Sequence, residues 1–251
     1  MKRPSEELQN VPAKARRFEH IDGNWPCHIS ISFSPYSVGS PSSSSNSDSE
    51  EEDLGNANVI ETLATSAAPF LASANNGGHI FPVDRPFHIS LSHTFVLRHH
   101  QIKLFLKVLK QELATSSSFQ LVLTNAVVRF TNANHTRYFY ALRAEGGSGA
   151  VRSVIKRVDK VLQRIGQPQY HKHPEIHVSF GWSEAEAPEK AEAEAEAERW
   201  NVVYAKIDQE TRSTTWIASA DRLPAATLEA ALRVTTVTCN IGNKIEHIQL
   251  L

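Results

Sequence analysis

The chain is poor in cysteine. Only Cys27 and Cys239 occur in 251 residues. Two such distant residues make no disulfide framework and no zinc-ligand spacing, so a reducing compartment is the simpler expectation. Long apolar runs are missing too. None approaches the roughly 18 residues that a membrane helix requires, and the N-terminus lacks the apolar core of a secretory signal. No membrane partner is therefore expected. Net charge is nearly absent as well, at −1, but that sum misleads. Residues 48–53 carry five acids, and residues 184–198 carry seven Glu against Lys190. Setting those −5 and −6 contributions aside leaves +10 on the remainder. Part of that excess lies in a basic tail, and the rest suits a surface that meets nucleic acid.

Composition divides the chain. Residues 1–17 form a polar, basic tail whose cluster Pro12-Ala13-Lys14-Ala15-Arg16-Arg17 is either a nuclear localisation signal or simply solvated charge. One folded domain is expected over 18–251, interrupted twice. The Ser- and acid-rich stretch 37–57 is too polar to bury a core and reads as disordered. The Glu/Ala stretch 183–198 reads as a solvated, low-complexity loop.

Hydrophobic periodicity then places the elements. Strands are expected at 18–33, 86–92, 119–130 and 136–143, and again after residue 175. Helices are expected at 59–71, 96–113 and 150–165, the last stopped by Gly166. Residues 223–232 read as a further helix, and 233–240 with 244–250 as a closing hairpin around Gly242-Asn243. Residues 199–217 carry no clear period. Strand, helix, strands, helix, strand is an approximate repeat, which predicts an α+β fold of two similar lobes facing a cleft.

Each half of that repeat carries one short motif. His88-Ile89-Ser90 lies in FHISLS and His177-Val178-Ser179 in IHVSFGW, 89 residues apart. On a strand, residues i and i+2 share a face, so each motif presents an imidazole beside a hydroxyl. Two such strands brought together would surround one small anion with two His and two Ser. One imidazole can accept a proton, the other can donate one, and the hydroxyls can bond phosphoryl oxygens. A single His-x-Ser is usually without meaning, and a third copy, His28-Ile29-Ser30, stands in NWPCHISISF. Spacing does not exclude that copy. Context favours the other two.

FHISLSHTFVLRHHQI followed by IHVSFGW resembles the two-histidine (2H) phosphoesterase superfamily. The segments FEHIDGNWPCHI, TRYFYALRAEGG and VTTVTCNIGNK, together with Leu97-Arg98-His99-His100, resemble more narrowly its U6 small nuclear RNA phosphodiesterase family. The resemblance implies a bilobal fold with the active site between lobes. It implies a 3′→5′ exoribonuclease that trims oligouridine from the 3′ end of U6 RNA in the nucleus, as a monomer and with neither cofactor nor metal. His88 and His177 would be catalytic, with the resemblance leaning to His177 as base and His88 as acid. Ser90 and Ser179 would hold the phosphate. Tyr170 would stack on a base, although it lies seven residues before His177, one further than the family's spacing, with His171 in the expected place.

The same four residues would also serve a 2′,3′-cyclic phosphodiesterase or a 2′-5′ RNA ligase-like enzyme. A non-catalytic RNA-binding module would keep the fold but has no need of paired proton-transfer groups. Other polar residues read more plainly. His99 and His100, about 100° apart on a helix, are poorly placed to chelate one ion. His171-x-His173 lacks an acidic or thiol partner nearby. Trp25 and Trp182 are read as packing residues.

Overall fold

The computed structural model describes residues 21, 23–33, 58–65, 80–131, 137–172, 174–184, 202–207, 214–218 and 229–251. The basic tail, the Ser/acid stretch and residues 185–198 of the Glu/Ala stretch lie outside the described residues.

Two antiparallel sheets organise the molecule, as the internal repeat predicts. The first contains β1 (Asn24–Phe33), β3 (Phe87–Ser90), β11 (Thr236–Ile241) and β12 (Lys244–Gln249) in the order β12-β11-β1-β3. A short strand, β4 (Phe95–Arg98), also pairs with β1. The second sheet contains β2 (Phe81–Pro82), β5 (Phe119–Thr131), β6 (Arg137–Gly146), β7 (His177–Glu184), β8 (Val202–Ile207) and β9 (Thr214–Ala218), in the order β2-β7-β6-β5-β9-β8. A further strand, β10 (Glu229–Val234), pairs with β5. The helices are α1 (58–65), α2 (His99–Leu113) and α3 (Ser148–Arg164).

Alternation decides which face of the first sheet is dry. Cys27, Ile29, Ile31 and Phe33 on β1 are buried with Phe87 and Ile89 on β3 and Val237, Cys239 and Ile241 on β11. They join one core with Phe105, Leu109 and Leu113 of α2 and Val151, Ile155, Val158 and Leu162 of α3. The intervening residues point the opposite way. These are His28, Ser30 and Ser32 on β1, His88 and Ser90 on β3, and Thr236, Thr238 and Asn240 on β11. In the second sheet, Leu142 of β6 and Val178 of β7 are buried in that same core. His177 and Ser179 flank Val178 and therefore face away from it, as half-buried side chains.

Local chemistry sets several boundaries. α2 begins at His99 because Gln101 reaches back, its Oε1 accepting the Arg98 N–H at 2.8 Å. Val96 to Arg98, expected within this helix, instead form β4 opposite Asn24–Pro26. α3 ends as its glycine predicts. Gly166 has φ 70, and the Gln167 N–H donates to the Leu162 carbonyl at 3.0 Å. At the other end, Gly147 has φ 78, and a Cβ there would run into the Gln120 carbonyl.

Two further expectations are corrected. Residues 229–232, expected in a helix, belong to β10, where Leu232 and Val234 are buried while Ala231 and Arg233 are exposed. The ladder to β5, with Leu232 opposite Leu121, overrides the local preference of an Ala-rich stretch for helix. Residues 223–228 lie outside the described residues. Ser183 and Glu184, assigned to the loop insertion, end β7. Ser183 is buried, and its Oγ shares a 3.0 Å hydrogen bond with the Tyr140 hydroxyl.

Candidate active site

Each lobe contributes one motif strand, and β3 and β7 lie against each other where the sheets meet. The two motifs are built alike. Phe87 and Ile89 anchor β3, leaving His88 and Ser90 half-buried on the other face, while Ile176 and Val178 anchor β7 beneath His177 and Ser179.

The imidazoles are also oriented alike. His177 Nδ1 lies 2.8 Å from the Glu175 carbonyl oxygen, and His88 Nδ1 lies 3.4 Å from that of Pro86, a longer and weaker contact. A carbonyl can only accept, so Nδ1 carries the proton in each bond. In both cases the acceptor sits two residues earlier in the chain. Each motif thus sets its own tautomer.

Their surroundings differ. Burial drives His177 from 6.5 down to about 4, and the nearby charge of His88 adds to the effect. The bond to Glu175 acts in the opposite direction and is outweighed. Phe130 packs against the ring. Its ring lies 4.1 Å from the imidazole at an interplanar angle of 34°, screening one face from water. At neutral pH His177 is therefore an uncharged ring with a bare Nε2. Arg143 stands opposite it on β6 and holds Glu145 at 3.3 Å.

The third His-x-Ser copy is part of the same arrangement. β1 runs antiparallel to β3 with Ser30 opposite Ser90 and Ser32 opposite His88. His28 Nε2 comes within 3.2 Å of Ser90 Oγ, and its ring meets His88 edge to face at 5.5 Å. The motif that context ranked last is thus a neighbour of the first. Its own hydroxyl is different. Ser30 is buried at 1 % exposure and bonded to Ser32 Oγ at 3.2 Å.

Tyr170 lies half-buried in the loop after α3, where its N–H donates to Asp159 Oδ1 at 2.7 Å. Its ring is 5.0 Å from that of His93 and 4.7 Å from that of His171. His93 follows the first motif, so the cluster ties the Tyr170 loop to β3. His171 is close enough for its charge to bear on His177. His173, the other half of the His-x-His pair, lies outside the described residues. Among the described residues no group of three or more His, Cys, Asp or Glu is placed to hold a metal. His99 opens α2 with its ring 6.2 Å from that of Trp25. Trp182 stacks on Phe81 at 4.7 Å.

His28 had a legible signal, the repeated tripeptide. Phe130, His93 and Arg143 had none, because each reaches the site across a strand pair or a loop.

Residues 3–249 match the model of the HVSL family, described as an uncharacterised conserved protein. Over 184 residues, 73% of the chain, it is 30% identical to U6 snRNA phosphodiesterase 1 of Rattus norvegicus. The chain belongs to the HVSL family, and curated relatives of it are named U6 snRNA phosphodiesterase 1. The Xenopus laevis relative of the same name is 27% identical over 238 residues, covering 95% of this chain and 78% of that protein. The match to the rat protein spans 60% of that protein's length. Among solved structures, Usb1 of Kluyveromyces marxianus shares the fold, with a TM-score of 0.56 at 15% identity over 90% of this chain and 98% of the other. The same likeness holds for that protein's structure with uridine monophosphate. The expected two-lobed α+β fold is the one found.

Proposed function

We propose that this chain is a metal-independent 3′→5′ exoribonuclease that trims the oligouridine 3′ end of U6 small nuclear RNA in the nucleus, acting as a monomer. The observation that carries the chemistry is the pairing of two imidazoles, one from each lobe, both held through Nδ1 and one kept neutral by burial. The substrate class rests on the names of the relatives, U6 snRNA phosphodiesterase 1, and on the uridine monophosphate in the Usb1 structure.

The reaction follows from what each group can do. His177, uncharged, takes the proton of the ribose 2′-OH through Nε2. The 2′-oxygen forms a bond to phosphorus in line with the departing 5′-oxygen. That P–O bond breaks, and His88, protonated, donates from Nε2 to the leaving oxygen. The shortened RNA ends in a 2′,3′-cyclic phosphate, and a nucleoside or nucleotide departs. Ser90 and Ser179 donate to the non-bridging oxygens as charge builds there. Because the nucleophile belongs to the substrate, its proximity supplies much of the rate, and DNA, lacking it, should be inert. Tyr170 offers an aromatic face for a base, an interaction tolerant of sequence.

The test is incubation of purified protein with EDTA and a 5′-labelled oligouridylate, with mass spectrometry of the shortened ends. A ladder of products ending in cyclic phosphate or 3′-phosphate is expected. His88→Ala and His177→Ala should each slow its formation by about 10²- to 10⁴-fold. Loss of the wild-type ladder in EDTA would refute the metal-free route. Opening of a 2′,3′-cyclic phosphate substrate without any shortening would replace the nuclease with a cyclic phosphodiesterase.

A further inference from the structure

We propose that His28 is a positioning residue for Ser90: its Nε2–H donates to Ser90 Oγ and leaves the serine proton free for a phosphoryl oxygen. The inference deepens the phosphodiesterase reading and rests on it for its functional meaning. Its starting point is the 3.2 Å approach of His28 Nε2 to Ser90 Oγ across the β1–β3 ladder.

Ser90 has one proton, and the contact can be made in two ways. If Ser90 donates to a bare Nε2, its proton points at the ring, and only lone pairs face the anion. A phosphoryl oxygen accepts and never donates, so that arrangement repels the substrate. If His28 donates, Oγ accepts from the ring, and its own proton is free to turn to the phosphate. Only the second arrangement makes Ser90 a phosphate ligand. A hydroxyl that accepts from an N–H is also polarised, so its own donation strengthens.

The position of His28 is defined independently of that bond. Ser92 Oγ accepts the Ile29 N–H at 3.0 Å, and the Leu91 N–H donates to the Ile29 carbonyl at 2.9 Å. Both contacts fix the backbone of Ile29, the residue that follows His28. The core side of the strand is filled by Cys27, Ile29 and Ile31, all buried, so the imidazole has no alternative face. The serine of the third copy cannot take over the phosphate role. Ser30 is 1 % exposed, with its Oγ on Ser32. The copy is therefore split, with His28 serving the site through Ser90 and Ser30 serving the sheet. The second motif has a different neighbour, since Ser179 stands opposite Ala141 on β6. The support is one-sided, and loss of Ser90 should depend on His28 in a way that loss of Ser179 does not.

The experiment has a spectroscopic and a kinetic arm, both on the full chain. Long-range ¹⁵N–¹H spectra of the imidazoles report which ring nitrogen is protonated. His28 is expected as the Nε2–H form, with its Nε2 resonance displaced in Ser90→Ala and unmoved in Ser179→Ala. A bare Nε2 on His28 overturns the proposal. In the kinetic arm, His28→Ala should lower kcat/KM on oligouridylate about tenfold, the worth of one well-placed hydrogen bond. The same change should have no further effect in a Ser90→Ala background, and it should keep its tenfold effect in a Ser179→Ala background. His28→Gln, whose amide N–H reaches to about the position of Nε2, should restore most of the loss. Equal losses in the presence and absence of Ser90 overturn the proposal, because His28 would then act through something else. Wild-type protein that cleaves no RNA sinks the nuclease reading, and the ring tautomer still decides this one.

Discussion

Replacing Phe130 by alanine tests how far its ring accounts for the burial that keeps His177 uncharged. The two rings lie 4.1 Å apart, and burial holds the imidazole at about 4 rather than 6.5. That interval corresponds to about 3 kcal/mol by which the folded protein disfavours protonation. Its sign has two consequences. The folded value lies below the unfolded one, so the unfolded chain takes up its proton first as pH falls. His177 therefore contributes its stability in full at neutral pH and loses it between about 6.5 and about 4. If His177 is the base, the acid limb of kcat/KM for wild type should fall near pH 4 rather than near 6.5. Phe130→Ala admits water to one face of the imidazole and should raise its value by about one unit. The acid limb should move up by the same amount, and the fall in stability on acidification should shrink by about 1.4 kcal/mol. Rates on oligouridylate between pH 3.5 and 8, beside an NMR titration of the His177 ring, measure both. A folded Phe130→Ala protein whose limb and ring titration both stay at the wild-type position refutes this account of the burial. A wild-type limb near 6.5 removes His177 from the role of base.

Three further outcomes are expected. Tyr170→Ala should raise KM for oligouridylate about 10- to 100-fold with a smaller effect on kcat, and Tyr170→Phe should restore it, because stacking on a base is worth about 1–3 kcal/mol and needs only the ring. Equal effects of the two substitutions would reassign the residue to the hydroxyl or to the loop. Gly147→Ala should destabilise the fold by about 3 kcal/mol in urea titration, combining a left-handed backbone at φ 78 with a collision against Gln120. Cys27 and Cys239 are both buried, which pushes each thiol up to about 12. Iodoacetamide should therefore leave both unmodified at pH 8 in folded protein and label them only on unfolding.

Much of this molecule is local in origin and so was legible in the chain. The alternation in FHISLS and IHVSFGW predicts two strands with His and Ser on one face, and β3 and β7 are built that way. The amphipathic periods that set α2 and α3, and the glycine that ends α3 at Gly166, are equally local. Misreadings fall where a ladder from a distant strand outweighs local preference. Residues 229–232 have the composition of a helix, and β5 makes them a strand. Val96 to Arg98 extend a helical period, and β1 draws them into its ladder.

The sequence by itself determined most of the elements, the two motifs and which face of each motif strand is polar, because those follow from side-chain periods of two and 3.6 residues. Only the tertiary structure decided what surrounds the two imidazoles. The β1–β3 register brings His28 to Ser90 from 62 positions away. The second sheet lays Phe130 over His177, an imidazole that burial keeps neutral. A tripeptide specifies a tautomer through a carbonyl two residues away. It cannot specify how much water reaches the ring, which depends on whatever the fold packs against it.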